Sequence, residues 1–369
     1  MRAVPFGDFK AHLAPIRGEI DAALARVLDS GRFILGPEGE AFERELADAL
    51  GAKQAVAVAN GTEAIQLALE ALGLGPGDEV VTSPLSAAFT VLAVQRAGAT
   101  PVFADVDPET LNVAPEAVAR KVGPRTRALL PVHLYGHPAD LAPLLHLARS
   151  LGIPLVEDAC QAHGARYEGR TVGCLSGIGA LSFYPTKNLG AFGDGGAVLV
   201  DDPAVASKLR RLRNGGQADR YRHEDAGINS RLDEIQAAVL RVKLRHLEAW
   251  TERRRALAAL YHGELQGCGV GLPREQPYAR AVYHLFVVRH PRRDALAAAL
   301  QQRGVSTLVH YPIPLHLQPA FAALGGRSGD FPVAERAAAE ILSLPLYPEM
   351  TDEQALSVAA AVRELAPRV

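Results

Sequence analysis

Short apolar runs rich in β-branched residues alternate with longer segments of helical periodicity between residues 54 and 200. This alternation is typical of an α/β domain with a largely parallel sheet. We predict strands at residues 54–59, 79–82, 100–104, 126–131, 153–156, 180–183 and 196–200. The predicted helices of this region cover residues 63–72, 87–97, 115–121, 141–151 and 203–213.

The length of 369 residues favours two domains over a single core. We predict an N-terminal segment and a large domain in residues 1–250, and a small C-terminal domain in residues 251–369. A charged amphipathic stretch at residues 231–261 is expected to link them. The small domain is predicted to be α+β, with strands at residues 283–289 and 306–310 and helices at residues 292–303, 333–341 and 352–364.

The charge balance and the cysteines exclude several classes of protein. With 39 basic and 41 acidic residues, the chain has neither a basic footprint for nucleic acid nor a polybasic patch for membranes. No apolar run approaches ~18 residues and the first residues lack a secretory signal, so we expect a cytoplasmic protein. The three cysteines are too widely spaced for a disulfide framework or a metal site, and we predict reduced thiols and no metal. The expected ligand is a small molecule.

A strand-to-helix turn at Asn60-Gly61-Thr62 offers a seat for a phosphate group. The first N–H groups of a helix have no intrahelical partner, and the helix dipole adds positive potential to them. Gly61 allows close backbone approach, and the Thr62 hydroxyl is available to cap the helix and to bind a ligand. The same turn would also be explained by a simple N-cap.

Two carboxylates, Glu157 and Asp158, follow the apolar run at residues 153–156. Ligands of open α/β sheets collect at the carboxyl ends of strands, so either acid could meet a ligand there. A loop acid or a helix cap is the ordinary structural alternative.

Lys187 follows the predicted strand at residues 180–183 and precedes the glycine-rich run Gly193-Asp194-Gly195-Gly196. Only six of the 39 basic residues are lysines, and lysine is the basic residue whose neutral amine forms a Schiff base with a carbonyl. A phosphate seat, a strand-end carboxylate and this lysine together match the needs of pyridoxal 5′-phosphate (PLP). Taken alone, a lysine in this position is more often a surface residue.

Other candidate sites are weaker. His133 and His137 have helical spacing, but Gly136 and Pro138 break the helix that would align them as metal ligands. There is no Gly-x-Ser-x-Gly nucleophile motif. The segment from His310 to His316 contains two prolines and is predicted to be an irregular loop, either on the surface or in the wall of a pocket.

These motifs, in their order and spacing, resemble the DegT/StrS family of PLP-dependent nucleotide-sugar aminotransferases. The resemblance extends from about residue 31 to residue 346 and rests on Asn60-Gly61-Thr62, Glu157 to Gly164, Ser182 to Leu189, Gly193 to Gly196, and Asn229 to Glu234, with His133-Leu134-Tyr135-Gly136 and His310-Tyr311-Pro312. It implies the aspartate-aminotransferase-like fold (PLP fold type I), with a mostly parallel seven-stranded sheet in the large domain. It also implies a homodimer with active sites at the subunit interface.

The resemblance further assigns roles to individual residues. Lys187 would bind the cofactor covalently, Asp158 would pair with its ring nitrogen, and His163 would lie beside the ring as a third catalytic residue. The other cofactor-binding residues would be Gly61, Thr62, Gln161 and Ser182, with Asn229 contributed by the partner subunit. The sugar pocket would contain His310 and Tyr311, and Arg32 and Phe33 would lie near the nucleotide-sugar of the neighbouring subunit.

One position departs from the family pattern. Members usually place an aromatic residue over the cofactor ring where the simplest alignment gives Ala87. Phe89 would take this role only if the loop were shifted, and on the simplest alignment we expect it to pack within the helix. Cys160 stands where alanine is common, which should not alter the chemistry.

The resemblance implies transfer of an amino group, from L-glutamate, to a keto carbon of a nucleotide-linked deoxysugar. An alternative is a PLP-dependent sugar dehydratase of the same family, but those enzymes carry histidine in place of the lysine. A non-catalytic regulatory relative is the second alternative, and the complete set of Asp158, Gln161 and Lys187 argues against it. The sequence leaves open which nucleotide-sugar is used and whether carbon C3 or C4 is aminated.

Overall fold

A seven-stranded sheet forms the centre of the large N-terminal part of the chain in a computed structural model that describes residues 3–369. The strands are Gln54–Val58 (β1), Glu79–Thr82 (β2), Thr100–Phe103 (β3), Thr126–Leu130 (β4), Glu157–Asp158 (β5), Arg166–Tyr167 (β6), Arg170–Thr171 (β7), Ile178–Ser182 (β8), Gly196–Val200 (β9), Ala279–Arg280 (β10), Phe286–Arg289 (β11) and Ile341–Leu344 (β12).

The helices surround this sheet and build the C-terminal part. They are Phe9–Leu13 (α1), Arg17–Ser30 (α2), Pro37–Leu50 (α3), Gly61–Ala71 (α4), Ala88–Arg96 (α5), Pro115–Lys121 (α6), Leu141–Leu151 (α7), Pro203–Leu212 (α8), Glu234–Leu244 (α9), Leu247–Leu265 (α10), Arg293–Gln302 (α11), Pro332–Glu340 (α12) and Asp352–Leu365 (α13). In the described part of the chain, no helix combines the length and apolarity that a membrane span requires.

The central sheet has the order β1-β9-β8-β5-β4-β2-β3. Hydrogen-bonded ladders join the first four strands to one another, and a separate set joins the last three. Parallel bridges at Leu129–Leu155 and Val132–Asp158 then join β4 to β5. Only β9 is antiparallel to its neighbours, and the β8–β5, β4–β2 and β2–β3 pairs are parallel. The predicted mostly parallel, seven-stranded sheet is confirmed.

Both faces of the sheet are buried, as expected of a largely parallel sheet covered by helices. The alternation along β1 shows this directly, since successive side chains of a strand point to opposite faces. Ala55 and Ala57 belong to one hydrophobic cluster, whereas Val56 and Val58 belong to another. The carboxyl ends of β5 and β8 therefore emerge from a fixed core, and this is where the candidate site lies.

Two predicted strands are wrong in detail. The run at residues 153–156 makes only a bridge at Leu155, and the paired strand is β5, the two acidic residues that follow it. Residues 306–310 do not form a strand. Ser306 N donates to Val4 and Leu308 N donates to Ser343, so the segment passes between two partners without a ladder to either. The strand that pairs with β11 is β12, which the sequence pattern did not indicate.

The amphipathic stretch at residues 231–261 contains two helices rather than one, because α9 ends and α10 begins around Arg245 and His246. Helix α10 runs through residue 250, and its later residues Leu257 and Tyr261 pack in a cluster with β11 and α13. Val4 belongs to the same cluster. The domain division at residue 250 stays a prediction.

Candidate active site

The two acids of β5 have different environments, because neighbouring residues of a strand face opposite sides. Asp158 is buried at the carboxyl end of the strand, where Oδ2 accepts a hydrogen bond from Thr90 Oγ1 (2.8 Å) and Oδ1 accepts one from the Cys160 amide (3.2 Å). Glu157 is fully buried on the other side. The sequence left both acids open as ligand-binding residues, and only Asp158 lies on the side of Lys187.

Glu157 is instead part of a closed structural pair. Its carboxylate accepts hydrogen bonds from the Gly173 amide (2.7 Å), the Ser176 amide (2.9 Å) and His133 Nε2 (3.1 Å). His133 Nδ1 accepts from the Ala139 amide, so the ring proton must be on Nε2. Burial alone would raise the pKa of Glu157, but the hydrogen bonds from His133 and the backbone outweigh it, and the pKa is lowered.

Lys187 lies on the loop after β8 and is partly buried. Burial lowers the pKa of its amine, and the nearby Cys160 and Asp158 oppose this effect in part. The charge of Lys187 in turn contributes to lowering the pKa of His163 and of His310. The structure therefore places Lys187, Asp158, His163 and His310 near one another, and their catalytic and binding roles stay predictions.

His163 is a fully buried imidazole with unused hydrogen-bonding capacity. Within residues 3–369, neither of its ring nitrogens has a hydrogen-bond partner. Burial, together with the charge of Lys187, lowers its pKa to about 3, so the ring is neutral at physiological pH. Buried polar groups are normally satisfied, and one that is not calls for a functional explanation.

The predicted phosphate seat forms at the first turn of α4. Gly61 is the first residue of the helix, and a Cβ placed on it would lie 2.6 Å from Ser182 Cβ and 3.0 Å from Cys160 Sγ. The helix N-terminus therefore lies directly against the end of β8. The N-cap is Asn60, whose Oδ1 accepts from the Glu63 amide (2.9 Å), so the predicted capping role of Thr62 is wrong. Thr62 occupies the second position of the helix.

A hydrogen-bonded network connects Gln161 to the loop of the C-terminal part. Gln161 Oε1 accepts from the Tyr135 amide (2.7 Å), and Nε2 donates to the Tyr311 hydroxyl (3.2 Å). The Tyr135 hydroxyl donates to the His310 carbonyl oxygen. His310 Nδ1 lies 2.8 Å from Ser343 Oγ, and burial with the charge of Lys187 lowers the His310 pKa to about 4. His310 and Tyr311 therefore adjoin the predicted cofactor residues.

Three predicted residues lie elsewhere on the surface of the chain. Asn229 is exposed and bridges to Asn214. Arg32 is exposed, and Phe33, whose carbonyl accepts from the Glu234 amide (2.9 Å), is 47% exposed. None of the three hydrogen bonds with the group around Lys187. That they serve the site of a neighbouring subunit stays a prediction.

The expectation for Phe89 is wrong. It lies in the first turn of α5 and is 62% exposed instead of packing within the helix. The next residue, Thr90, holds Asp158. Phe89 therefore projects from the turn that contacts the strand-end acid, while Ala87 is only the N-cap of the helix.

Sequence reasoning missed Thr90 and His284. Thr90 carries no sequence signal, because an ordinary threonine in an apolar helix is common. His284 is buried with Nδ1 3.3 Å from Asn188 Oδ1, and burial with the charge of Lys187 places its pKa well below 6.5. Its only signal was a histidine inside the apolar run before β11.

The chain resembles known proteins along almost its whole length. The sequence profile of the DegT/DnrJ/EryC1/StrS aminotransferase family matches residues 15–363. The chain is 53% identical over 367 residues to dTDP-3-amino-3,4,6-trideoxy-alpha-D-glucose transaminase from Streptomyces venezuelae, covering 99% of this chain and 97% of that one.

Solved structures give the same result. The crystal structure of S. venezuelae DesV in complex with a ketimine intermediate matches with a TM-score of 0.98 and 53% identity over the whole of both chains. NtdA from Bacillus subtilis, with the bound cofactor PMP, matches with a TM-score of 0.92 and 31% identity, covering 100% of this chain and 86% of that one. The chain belongs to the DegT/DnrJ/EryC1/StrS aminotransferase family.

Proposed function

We propose that this enzyme transfers an amino group from L-glutamate to the keto carbon C3 of a dTDP-linked deoxysugar. Nucleotide-sugar aminotransferase activity follows from the family and from its PLP-dependent relatives. The choice of C3 and dTDP is supported by the name of the Streptomyces venezuelae relative at 53% identity. The observation that carries the proposal is a partly buried lysine with a lowered pKa beside a buried carboxylate, Lys187 and Asp158.

The residues of the site fit PLP at its phosphate end and along its ring. The close packing of Gly61 on Ser182 makes a cradle of backbone N–H groups and hydroxyls at a helix N-terminus, where Thr62 would add a further hydroxyl. Asp158 has the charge required beside a protonated ring nitrogen. The unpartnered nitrogens of His163 and the exposed ring of Phe89 are further groups that a flat aromatic cofactor would use.

Lys187 would be both the covalent attachment point and the group that moves the proton. When bound, PLP supplies an electron sink for the carbon that loses a proton. The lowered pKa of Lys187 raises the fraction of neutral amine, which is the form that attacks a carbonyl and accepts a proton. Asp158, fixed by Thr90 and the Cys160 amide, would keep a proton on the ring nitrogen. Gln161 would reach the ring hydroxyl.

The sugar would enter next to the loop of the C-terminal part. His310 and Tyr311 are connected to Gln161 through the Tyr135 network, so their positions are fixed relative to the cofactor residues. His310 is neutral at physiological pH because its pKa is about 4, so it would contact sugar hydroxyls as a hydrogen-bonding group and not as a cation.

We further propose a homodimer in which each subunit completes the other's site. Several large apolar side chains are exposed in the single chain, including Phe33, Ile34, Leu35, Tyr184 and Phe192. Clustered exposure of this kind marks interaction surfaces. In the dimer, Asn229 would reach the partner's phosphate, and Arg32 with Phe33 would reach the partner's nucleotide-sugar. The three free cysteines suit the reducing cytoplasm, where we place the enzyme.

The dehydratase alternative is not favoured, because position 187 is a lysine and those enzymes carry histidine there. A regulatory relative is not favoured either, because Asp158, Gln161 and Lys187 are all present, with Asp158 held by Thr90 and Gln161 held by the Tyr135 amide.

The test is a panel of 3-keto and 4-keto sugars linked to dTDP or UDP, each incubated with PLP-loaded enzyme and L-glutamate and followed by product mass. We expect the 3-keto dTDP-sugar to be aminated fastest. Faster amination of a 4-keto sugar would contradict the choice of C3, and no amination of any sugar would contradict the proposed activity.

The variant Lys187→Ala tests the residue that carries the chemistry. We expect it to abolish transamination, because the covalent attachment point and the proton-transfer group are lost together. Lys53→Ala, at an exposed lysine before β1, is the matched control and should retain full activity. Full activity of Lys187→Ala in the same assay would refute the mechanism.

A further inference from the structure

A second buried lysine lies behind the loop that carries Lys187. Lys243, near the end of α9, is only 3% exposed, and its Nζ donates a hydrogen bond to the Gly190 carbonyl oxygen at 2.6 Å. It belongs to the charged amphipathic stretch at residues 231–261, but its side chain is not on the exposed face. The ammonium group is turned inwards, to a carbonyl three residues after Lys187.

Helix α9 holds the same loop at a second point. Gln236 Oε1 accepts a hydrogen bond from the Phe192 amide at 2.8 Å. Lys243 Nζ also lies 4.6 Å from the centre of the Phe192 ring, within the range of a cation–π contact. One helix therefore fixes the loop at the carbonyl of Gly190 and at the amide and ring of Phe192.

The loop is so compact that the position of Gly190 determines the position of Lys187. A Cβ on Gly190 would lie 2.4 Å from the Pro185 carbonyl oxygen, so the chain folds back closely on itself between residues 185 and 190. The Lys187 amide donates to the Tyr184 carbonyl (2.8 Å), and the Ala191 amide donates to the Phe183 carbonyl (2.8 Å). A movement of Gly190 would therefore displace the short turn on which Lys187 sits.

The contact is an unfavourable one for stability alone. The hydrogen-bond partner of Lys243 is a neutral carbonyl and not a carboxylate. Burial lowers its pKa to about 8, and the charge of Glu349 opposes this effect only in part, so the charged form is disfavoured there. Buried charges replaced by apolar groups of similar volume often leave a protein equally or more stable. A role in placing the loop would explain why an ammonium occupies this position.

We propose that Lys243 is a positioning residue, which fixes the Gly190–Phe192 segment and through it the reactive amine of Lys187. This inference rests on the proposed function, in which Lys187 binds the cofactor. It adds a residue outside the cofactor pocket that sets how well the lysine is aligned.

The test compares Lys243→Met with Lys208→Met. Lys208 is a matched control, because its Nζ also donates to backbone carbonyls, those of Glu70 (3.1 Å) and Ala71 (3.2 Å), but in a different part of the sheet domain. The first measurement is amide hydrogen exchange at Ala191 and Phe192 in the cofactor-free protein. The second is the pH at which the visible absorbance of the lysine-bound cofactor titrates in the PLP-loaded enzyme.

We expect Lys243→Met to speed exchange at Ala191 and Phe192 about tenfold and to shift the titration of the absorbance, in a variant that remains folded. Lys208→Met should change neither loop measurement. If Lys243→Met does not fold, Lys243→Leu, which also lacks a donor for the Gly190 carbonyl, replaces it with the same expected result. Exchange and titration indistinguishable from Lys208→Met would overturn the proposal. Because the exchange measurement needs no cofactor, it tests whether Lys243 fixes the Gly190–Phe192 segment even if Lys187 proves not to bind PLP.

Discussion

The two sides of strand β5 make a useful comparison. On one side, Glu157 and His133 are fully buried, and the ring nitrogens of His133 and the carboxylate oxygens of Glu157 all have partners. On the other side, Asp158 lies near a partly buried lysine and near His163, whose two ring nitrogens have no partner in residues 3–369. Both sides are polar and buried. Complete hydrogen bonding is typical of a structural pair, and the unused capacity is on the side where we propose the cofactor.

The comparison predicts the largest effect on activity for Asp158→Asn. The amide still fits beside Thr90, but it has no charge to hold a proton on the cofactor's ring nitrogen. We expect kcat/KM to fall by about 10²–10⁴-fold, the range typical of lost acid–base assistance, with the unfolding temperature nearly unchanged. Steady-state kinetics with L-glutamate and the preferred sugar measure kcat/KM, and thermal unfolding measures the unfolding temperature. A variant of normal activity would break the assignment of Asp158.

Glu157→Gln should show the opposite pattern. The side-chain NH₂ of a glutamine would face the N–H groups of Gly173, Ser176 or His133, which are also donors. A buried hydrogen-bond donor would then have no acceptor. We expect a loss of about 3 kcal/mol in the free energy of unfolding. The folded fraction should keep its specific activity. Urea unfolding measures the free energy of unfolding. A selective loss of kcat in a fully stable variant would contradict the structural role.

The buried His163 should make the cofactor-free protein sensitive to acid. Its folded pKa of about 3 lies below the ordinary value of 6.5, so between these values the unfolded chain binds more protons and stability falls as pH falls. Acidification from pH 7 to pH 5 should remove about 2 kcal/mol through this group. His163→Phe should lack this part of the slope. Denaturant unfolding at several pH values measures how the free energy of unfolding changes with pH in the wild type and in the variant. Equal slopes for the two proteins would mean that His163 is not buried as a neutral ring.

The smallest effect is expected for Thr90→Val, which removes one donor to Asp158 and keeps the shape of the side chain. A hydrogen bond to a charged group contributes about 1.5–3 kcal/mol, so PLP should bind at least about tenfold more weakly. Thr90→Ser, which retains the hydroxyl, should restore most of the affinity. Cofactor titration monitored by absorbance distinguishes the two variants, and equal affinity in Thr90→Val would show that Asp158 needs no help from α5.

The sequence supports the cofactor half of the site better than its surroundings. Gly61, Asp158, Ser182 and Lys187 lie at strand ends or helix starts, and local patterns predict such positions. The sequence left Glu157 and Asp158 as equal candidates, because the strand pattern gives no information on which side of the strand holds the ligand. That choice depends on His133 and Thr90, which come from distant elements.

The contacts that sequence reasoning missed are all long-range. Lys243 meets Gly190 across 53 residues and Thr90 meets Asp158 across 68, so no local pattern reports either contact. Phe89 was misjudged for a related reason, because an aromatic residue in an apolar helix is usually buried, and only the packing of α5 shows that it is exposed. The false strand at residues 306–310 has suitable β-branched residues but contacts two different partners.

The central claim is that the side of β5 facing Asp158 is the cofactor site, with Lys187 as its covalent attachment point. Reduction of the PLP-loaded enzyme with borohydride, followed by proteolysis and mass spectrometry, tests it most directly. The chain has six lysines, at positions 10, 53, 121, 187, 208 and 243, so the labelled peptide identifies the residue. The predicted result is a single pyridoxyl group on Lys187, and a label on Lys243 or on any other lysine would contradict the account.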